Sequence, residues 1–342
     1  MNYRLLKACR LQKTDKIPIW LMRQVGRYLP EYREIRNKLD FKELCKDAKK
    51  VAELSILPVE KFDLDAAILF SDILIPLDSV GFNLEINEER GAIIKTISSK
   101  EEIRKLEQFD PENISFVYEA IGEMKRILNK KVPIIGFSGA PFTYACYLIE
   151  GRYTRDFYKT KSIMYNEEDF WNELIQKLSS ITFVHLKEQV NAGADVIQIF
   201  DSWAGSLSPS DYKEYVLPYY KDLFSKISTL NVPIIYFSTS SAGLCNLFRE
   251  IGAHVISVDW RIDIGEASKI LGNKIGLQGN LDPSVLLSNK KKIEEKTKEI
   301  LDKVGSRLGF IFNLGHGVLP ETPVENVKFL VEYVHSYQSH ES

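Results

Sequence analysis

Residues able to do chemistry fall in short polar clusters, each following an apolar run. The first cluster is Met22-Arg23-Gln24, then Gly26 and Arg27. Next come Ser71-Asp72 and Ser138-Gly139-Ala140-Pro141, the latter with Tyr144 and Tyr147 soon after. The remaining clusters are Asp201-Ser202, Ser238-Thr239-Ser240, Asp259-Trp260, Gln278-Gly279-Asn280 and Gly315-His316-Gly317. Arginine offers a planar fork that grips carboxylate or phosphate in two places. Carboxylates stabilise developing positive charge, and histidine titrates near neutrality. Glycine on both sides of His316 permits close backbone approach to a ligand. The five histidines, His185, His254, His316, His335 and His340, form neither H-x-H nor H-E-x-x-H, so no metal site is legible. Also absent are G-x-G-x-x-G, G-x-x-x-x-G-K-[ST] and G-x-S-x-G, which weakens nucleotide-binding and acyl-transfer readings.

Every one of these residues also has an ordinary structural use. Arg23 and Arg27 can pair with surface carboxylates, and Asp72, Asp201 and Asp259 can cap helices. Tyr147 can be a core aromatic with a satisfied hydroxyl, Ser202 a cap and His316 a turn residue. Spacing alone therefore describes a polar rim that prefers anions. It does not specify a reaction.

The elements that must position this rim are legible as alternation. Apolar runs rich in Ile, Val and Phe occupy 17–21, 66–70, 134–137, 196–200, 234–237, 255–258, 274–277 and 310–314. Continuous apolar runs suit parallel strands buried on both faces. Between them, 47–57, 114–128, 169–192, 209–227, 244–251, 290–304 and 324–337 follow a helical period. Pro133 and Pro233 stop helices ahead of strands. Eight strands alternating with helices predict an α/β fold, a single (β/α)8 TIM barrel spanning 1–342 as one domain, with an open doubly wound sheet as runner-up. In a barrel the chemistry sits where the strands end, which is where the polar clusters fall. The charge run at 290–298 reads as a solvated helix face, and the tail after His335 is expected to fray.

Bulk properties narrow the class. The 342 residues are 44% hydrophobic and 27% charged, with a net charge of -2, an ordinary globular balance without the basic field of a nucleic-acid binder. Cys9, Cys45, Cys146 and Cys245 lie far apart with no C-x-x-C pair, which argues against disulfides and a cysteine-rich zinc site. Residues 1–16 lack the uninterrupted apolar stretch of a signal peptide, and no apolar run approaches ~20 residues. A cytoplasmic protein without membrane contact is expected.

The segment PIWLMRQVGRYLPEYRE at 18–34 closely resembles the N-terminal signature of the uroporphyrinogen decarboxylase family. Further segments follow in family order: FSDILIPLDSVG from Phe70, GFSGAPFTYACYLIEG from Gly136, QIFDSWAGSLSP from Gln198, ISVDWRIDI from Ile256, GLQGNLDP from Gly276 and FNLGHGVLPETP from Phe312. The chain departs from the family at YFSTSS, 236–241, where relatives carry more glycine, and at Trp203. The resemblance implies a single barrel, usually a homodimer, using neither metal nor organic cofactor. It implies a carboxy-lyase that converts the four acetates of uroporphyrinogen III to methyls, giving coproporphyrinogen III and carbon dioxide. It carries Arg23, Gln24, Arg27, Asp72, Tyr147, Ser202 and His316 over as substrate-contacting positions, with Asp72, Arg23, Tyr147 and His316 as the catalytic candidates. Asp72 would accept hydrogen bonds from the pyrrole N–H groups and balance a protonated ring. His316 would bind a carboxylate or assist protonation with a pKa near neutrality. The proton donor stays open among a protonated His316, a tyrosine and a water oriented by Arg23. Two rivals are a zinc-dependent corrinoid or coenzyme M methyltransferase-like barrel, which needs an H-x-C pair where this chain has Ser238-Thr239-Ser240, and a non-catalytic tetrapyrrole carrier.

Overall fold

The computed structural model describes residues 3–87, 91–97 and 99–337. Among them the strands are β1 (Ala67–Ile68), β2 (Glu85–Asn87), β3 (Gly91–Ile93), β4 (Ile134–Gly139), β5 (Val196–Asp201), β6 (Ile234–Ser238), β7 (Val255–Ser257), β8 (Gly276–Leu281) and β9 (Phe310–Leu314). Strands β2 and β3 form a separate antiparallel hairpin. The other seven form one curled parallel sheet in the order β1-β4-β5-β6-β7-β8-β9. Consecutive strands are neighbours because helices carry the chain back between them, for example Glu168–Ala192 between β4 and β5 and Lys290–Val304 between β8 and β9. Strands β4, β6, β8 and β9 are buried along their whole length, as their apolar runs require.

Eight strands were expected, and seven join the sheet. The segment 18–21 makes a single parallel rung, Ile19 with Phe312. The Phe312 N–H donates to the Pro18 carbonyl at 2.8 Å, and the Asp65 N–H to the Ile19 carbonyl at 2.9 Å. Both outer edges of the sheet thus reach this segment. It fails to be a strand because the Ile19 N–H donates to the Asp65 side chain at 2.8 Å instead of a backbone carbonyl. The chain then turns away at Arg23, whose φ is 57°. Asp65 is fully buried and also takes Arg4 Nη1 at 3.0 Å and pairs with His335 Nε2 at 2.8 Å, tying the first and last helices to the foot of the sheet.

The seventh predicted run, 274–277, shows the opposite error. The apolar run ends at Leu277, yet β8 continues to Leu281 through Gln278-Gly279-Asn280. Gln278 is fully buried: its Oε1 accepts from Trp20 Nε1 at 2.9 Å, and its Nε2 donates to Gln198 Oε1 at 3.1 Å and Ser257 Oγ at 2.9 Å. A buried amide with partners on the facing strands is compatible with a strand.

Helix 209–227 is in fact two helices, Pro209–Tyr215 and Leu217–Ser228, broken at Val216 ahead of Pro218. The charge run lies on Lys290–Val304, where Lys292–Glu295, Lys296–Glu299 and Lys298–Asp302 pair at 2.6–2.9 Å along the helix. At the C-terminus, Ser336 ends the last helix and the Tyr337 hydroxyl donates to Asp302 at 2.6 Å; the rest of the tail, with His340, lies outside the described residues. No described helix is long and apolar enough to cross a membrane.

Asp201, read as a possible cap, closes β5 in a buried hydroxyl cage. It accepts from Tyr220 at 2.7 Å, Tyr236 at 2.8 Å and Thr143 at 2.8 Å. Burial outweighs these bonds and raises its pKa to about 6. Asp201→Ala strands three hydroxyl groups without an acceptor. It should lower unfolding free energy by about 3 kcal/mol in chemical denaturation; a loss below about 1 kcal/mol would show that the cage is not structural.

Candidate active site

The polar rim is assembled by loops that leave the carboxyl ends of the strands. After the rung at Ile19 the Met22 N–H donates to Asn313 Oδ1 at 3.1 Å, and Met22 O accepts from the Val318 N–H at 2.9 Å, so the Arg23 loop and the loop after β9 are laced together. Arg23 itself occupies the left-handed region, which costs a non-glycine residue of order 1–3 kcal/mol. Its stem runs across Gly317: a Cβ there would lie 2.3 Å from Arg23 Cδ and 2.6 Å from Cγ. A Cβ at Gly315 would lie 2.6 Å from the Trp260 backbone N. The glycines flanking His316 therefore admit Arg23 and Trp260, not primarily a ligand.

Asp72 sits where β1 gives way to the short helix Ile75–Leu77. Its Oδ1 accepts the Leu74 N–H at 2.8 Å, the only hydrogen bond its side chain makes among the described residues. The capping use expected of such an aspartate thus occupies one oxygen and leaves the other. Burial raises its pKa, while the Leu74 N–H and the charge of Arg23 pull it back. Tyr147, on helix Pro141–Glu150, is raised by burial and then by the charge of Asp72, with Arg23 opposing, so its hydroxyl stays a neutral donor. Arg23, Asp72 and Tyr147 therefore share one electrostatic environment. Neither Arg23 nor Arg27 makes an ion pair with any described residue, contrary to the surface-pairing use, and both guanidinium groups remain free for an anion.

Beside this group opens a cavity of about 840 Å³, near the upper end of the ~300–1,000 Å³ range of small-molecule sites. Ser202 and His316 stand in its wall, with Trp203, Thr239, Trp260, Arg261 and Arg155. Trp203 joins the two regions, because its ring lies 4.2 Å from that of Tyr147. Across the strands, Phe137, Phe200, Phe237 and His316 follow one another edge to face at 5.5, 5.8 and 6.5 Å.

Two expectations need correction. The His316 pKa is not near neutrality: burial, then the charges of Arg23 and Arg261, lower it to about 4 from an ordinary 6.5, with Asp259 opposing. At pH 7 its imidazole is neutral in the free protein and is no ready acid. A chemical-shift titration of His316 should give a midpoint near 4, and a midpoint at the ordinary value would contradict the burial argument. Gln24 turns its side chain away from ligands. It is fully buried, its Oε1 accepting the Leu21 N–H at 3.1 Å and its Nε2 donating to the Ala66 carbonyl at 3.1 Å. It clasps the Arg23 loop to the start of β1. Of the carried-over positions only Ser202 and His316 line the cavity; Arg23 and Arg27, both exposed, lie outside its wall, as do Asp72 and Tyr147.

Arg261, which lines the cavity, was not among the predicted site residues; it stands one residue beyond the strand-end pair Asp259-Trp260. Among the described residues, no three of His, Cys, Asp or Glu come together in a way that could hold a metal.

The curled parallel α/β sheet carries acids, hydroxyls and unpaired guanidinium groups near its strands' carboxyl ends, the end at which enzymes of the α/β class place their chemistry. Its fold matches a methyltransferase from Methanosarcina mazei with a TM-score of 0.83 over 97% of both chains, at 21% identity. A B12-independent methionine synthase from Shewanella sp. W3-18-1 follows at a TM-score of 0.58, covering 87% of this chain and 88% of that one, at 12% identity. At these identities the likeness concerns the fold alone. Sequence places the chain more narrowly. The family model for uroporphyrinogen decarboxylase matches residues 1–337. The uroporphyrinogen decarboxylase of Carboxydothermus hydrogenoformans is 45% identical over 99% of this chain and 97% of its own length, and that of Myxococcus xanthus 44% over 98% and 97%. The chain belongs to the uroporphyrinogen decarboxylase family.

Proposed function

We infer that the chain is a carboxy-lyase that decarboxylates uroporphyrinogen III to coproporphyrinogen III, as a single (β/α)8 domain acting in the cytoplasm as a homodimer. Family membership supports the activity. Segment 18–21, bonded to both β9 and the approach to β1, supports counting it as the eighth stave of a closed barrel.

The observation that carries the reading is the unpartnered oxygen of Asp72, beside Arg23 and Tyr147. Each acetate loses its carboxylate after a proton adds to the pyrrole carbon that bears it. The C–C bond to the carboxylate breaks, carbon dioxide departs, and the electron pair neutralises the ring cation to leave an exocyclic methylene. Protonation of that methylene and loss of the ring-carbon proton give the methyl. The heterocycle is its own electron sink, so no organic cofactor is required. The protein's part is electrostatic: Asp72 accepts from the pyrrole N–H groups and balances the transient cation. Arg23 and Arg27 take peripheral carboxylates, Tyr147 and Ser202 donate hydroxyl hydrogens, and neutral His316 accepts or donates at the cavity wall. Gln24 acts by positioning Arg23. Phe137, Phe200 and Phe237 pack edge to face behind His316.

The test is incubation with anaerobically reduced uroporphyrinogen in the presence of a chelator, followed by separation of products by carboxylate number. Stepwise loss of four carboxylates is expected. Binding without carbon dioxide release would favour a carrier. Loss of activity with removal of stoichiometric zinc would favour the methyltransferase-like rival, although Ser238-Thr239-Ser240 supplies no thiol or imidazole.

A further inference from the structure

Arg261 is held more firmly than an ordinary rim arginine. Its Nη1 lies 2.5 Å from Asp259 Oδ2, and its guanidinium carbon lies 4.1 Å from the centroid of the Trp260 ring. Asp259 is almost wholly buried and braces the loops on either side: it accepts the Ser240 N–H at 2.6 Å and the Arg261 N–H at 3.2 Å. The acid is therefore part of the loop framework, and the arginine is aimed by it. Only one nitrogen of the side chain is engaged among the described residues, and the group stays about half exposed, facing the cavity that Ser202 and His316 line. A guanidinium stacked on one face and anchored along one edge presents the opposite edge, already oriented, to a planar anion.

We propose that Arg261 is a further carboxylate clamp of the cavity, with Asp259 and Trp260 as the frame that aims it. The proposal rests on the tetrapyrrole reading above and adds to it a residue that sets affinity for peripheral carboxylates. Arg155 lines the same cavity with neither an ion pair nor a stacking partner among the described residues, so it lacks the preorganisation that singles out Arg261. The proximity of Arg261 also helps keep His316 neutral, so a carboxylate that neutralises Arg261 makes protonation of His316 easier. Clamp and histidine are thereby coupled through the ligand.

The experiment measures binding of uroporphyrin, the oxidised octacarboxylic macrocycle, by quenching of tryptophan fluorescence, alongside turnover of the reduced form. Arg261→Gln should weaken binding roughly tenfold, the worth of one charge-assisted hydrogen bond at a partly exposed site. KM should rise by a similar factor with kcat within about twofold, and added guanidinium ion should recover part of the loss. Arg261→Lys keeps the charge but cannot hold Asp259 and offer a second edge, so it should fall between Gln and wild type. Arg126→Ala, which removes a remote surface charge paired with Glu123, controls for bulk electrostatics and should bind as wild type. Unchanged binding and KM in both Arg261 variants would overturn the proposal, as would a loss shared by Arg126→Ala. Binding is read independently of chemistry. A wild-type chain that binds but does not turn over, with Arg261→Gln still weakened, would sink the decarboxylase reading and leave the clamp standing.

Discussion

Asp72→Asn should lower kcat by about 100- to 1,000-fold while leaving binding of the macrocycle within a few-fold of wild type. The substitution is nearly isosteric, and the amide oxygen can still accept the Leu74 N–H, so the turn into helix Ile75–Leu77 survives. What disappears is negative charge. The ground-state substrate has neutral pyrroles, which an amide oxygen can serve almost as well as a carboxylate. The cation formed on ring protonation has no counter-charge in the variant, so the loss falls on the transition state. Stopped-flow binding and anaerobic turnover separate the two effects. A variant with near wild-type kcat would remove Asp72 from the chemistry, and one that no longer binds would make it a docking residue only. The wild-type acid limb should also be displaced. Burial raises the Asp72 pKa, so the required carboxylate is lost, as pH falls, at a higher pH than for an exposed aspartate. Since Arg23 opposes that rise, Arg23→Gln should move the limb further up.

The second large effect is expected from a residue with no side chain. Gly317→Ala places a methyl 2.3 Å from Arg23 Cδ, 2.6 Å from Cγ and 2.9 Å from Cβ. The arginine must leave its track, and its backbone is already committed to the left-handed region. The substitution should therefore act as a displacement of Arg23, costing about 10- to 100-fold in kcat/KM, similar to Arg23→Gln. The diagnostic is non-additivity: Gly317→Ala combined with Arg23→Gln should be little worse than Arg23→Gln alone. Full multiplication of the two losses would mean that Gly317 serves something else, and a fully active Gly317→Ala would mean that the position of Arg23 does not matter.

The parts of this architecture that apolar runs encode were readable from the chain, and the parts that polar contacts encode were not. Runs 134–137, 196–200 and 310–314 became β4, β5 and β9 with ends shifted by at most two residues, because nothing competes with burial there. The first run lost its ladder to one side chain, Asp65, whose contact with Ile19 crosses 46 residues. The seventh ran on past Leu277 because Gln278 finds partners on Trp20, Gln198 and Ser257, all distant in sequence. Helix Pro141–Glu150 is not legible as a helical period although Pro141 at its start and Gly151 after its end are ordinary boundary signals. It is apolar almost all round, so no single face stands out.

The site divides similarly. Arg23, Asp72, Tyr147 and His316 are the candidates that the motifs name, and in the structure the charge of Arg23 acts on each of the other three. The inward clasp of Gln24 and the low pKa of His316 follow from burial, which residue type does not reveal. Arg261 needs the knowledge that Trp260 and Asp259 flank its head, which only the folded loop supplies.

The central claim is that one carboxylate oxygen meets the pyrrole hydrogens at the centre of the macrocycle. A crystal structure of the protein grown anaerobically with coproporphyrinogen tests it most directly. The account predicts Asp72 Oδ2 within about 2.7–3.2 Å of pyrrole nitrogens, with Oδ1 still on Leu74. A macrocycle bound with its nitrogens facing away from Asp72, held only by its carboxylates, would contradict it.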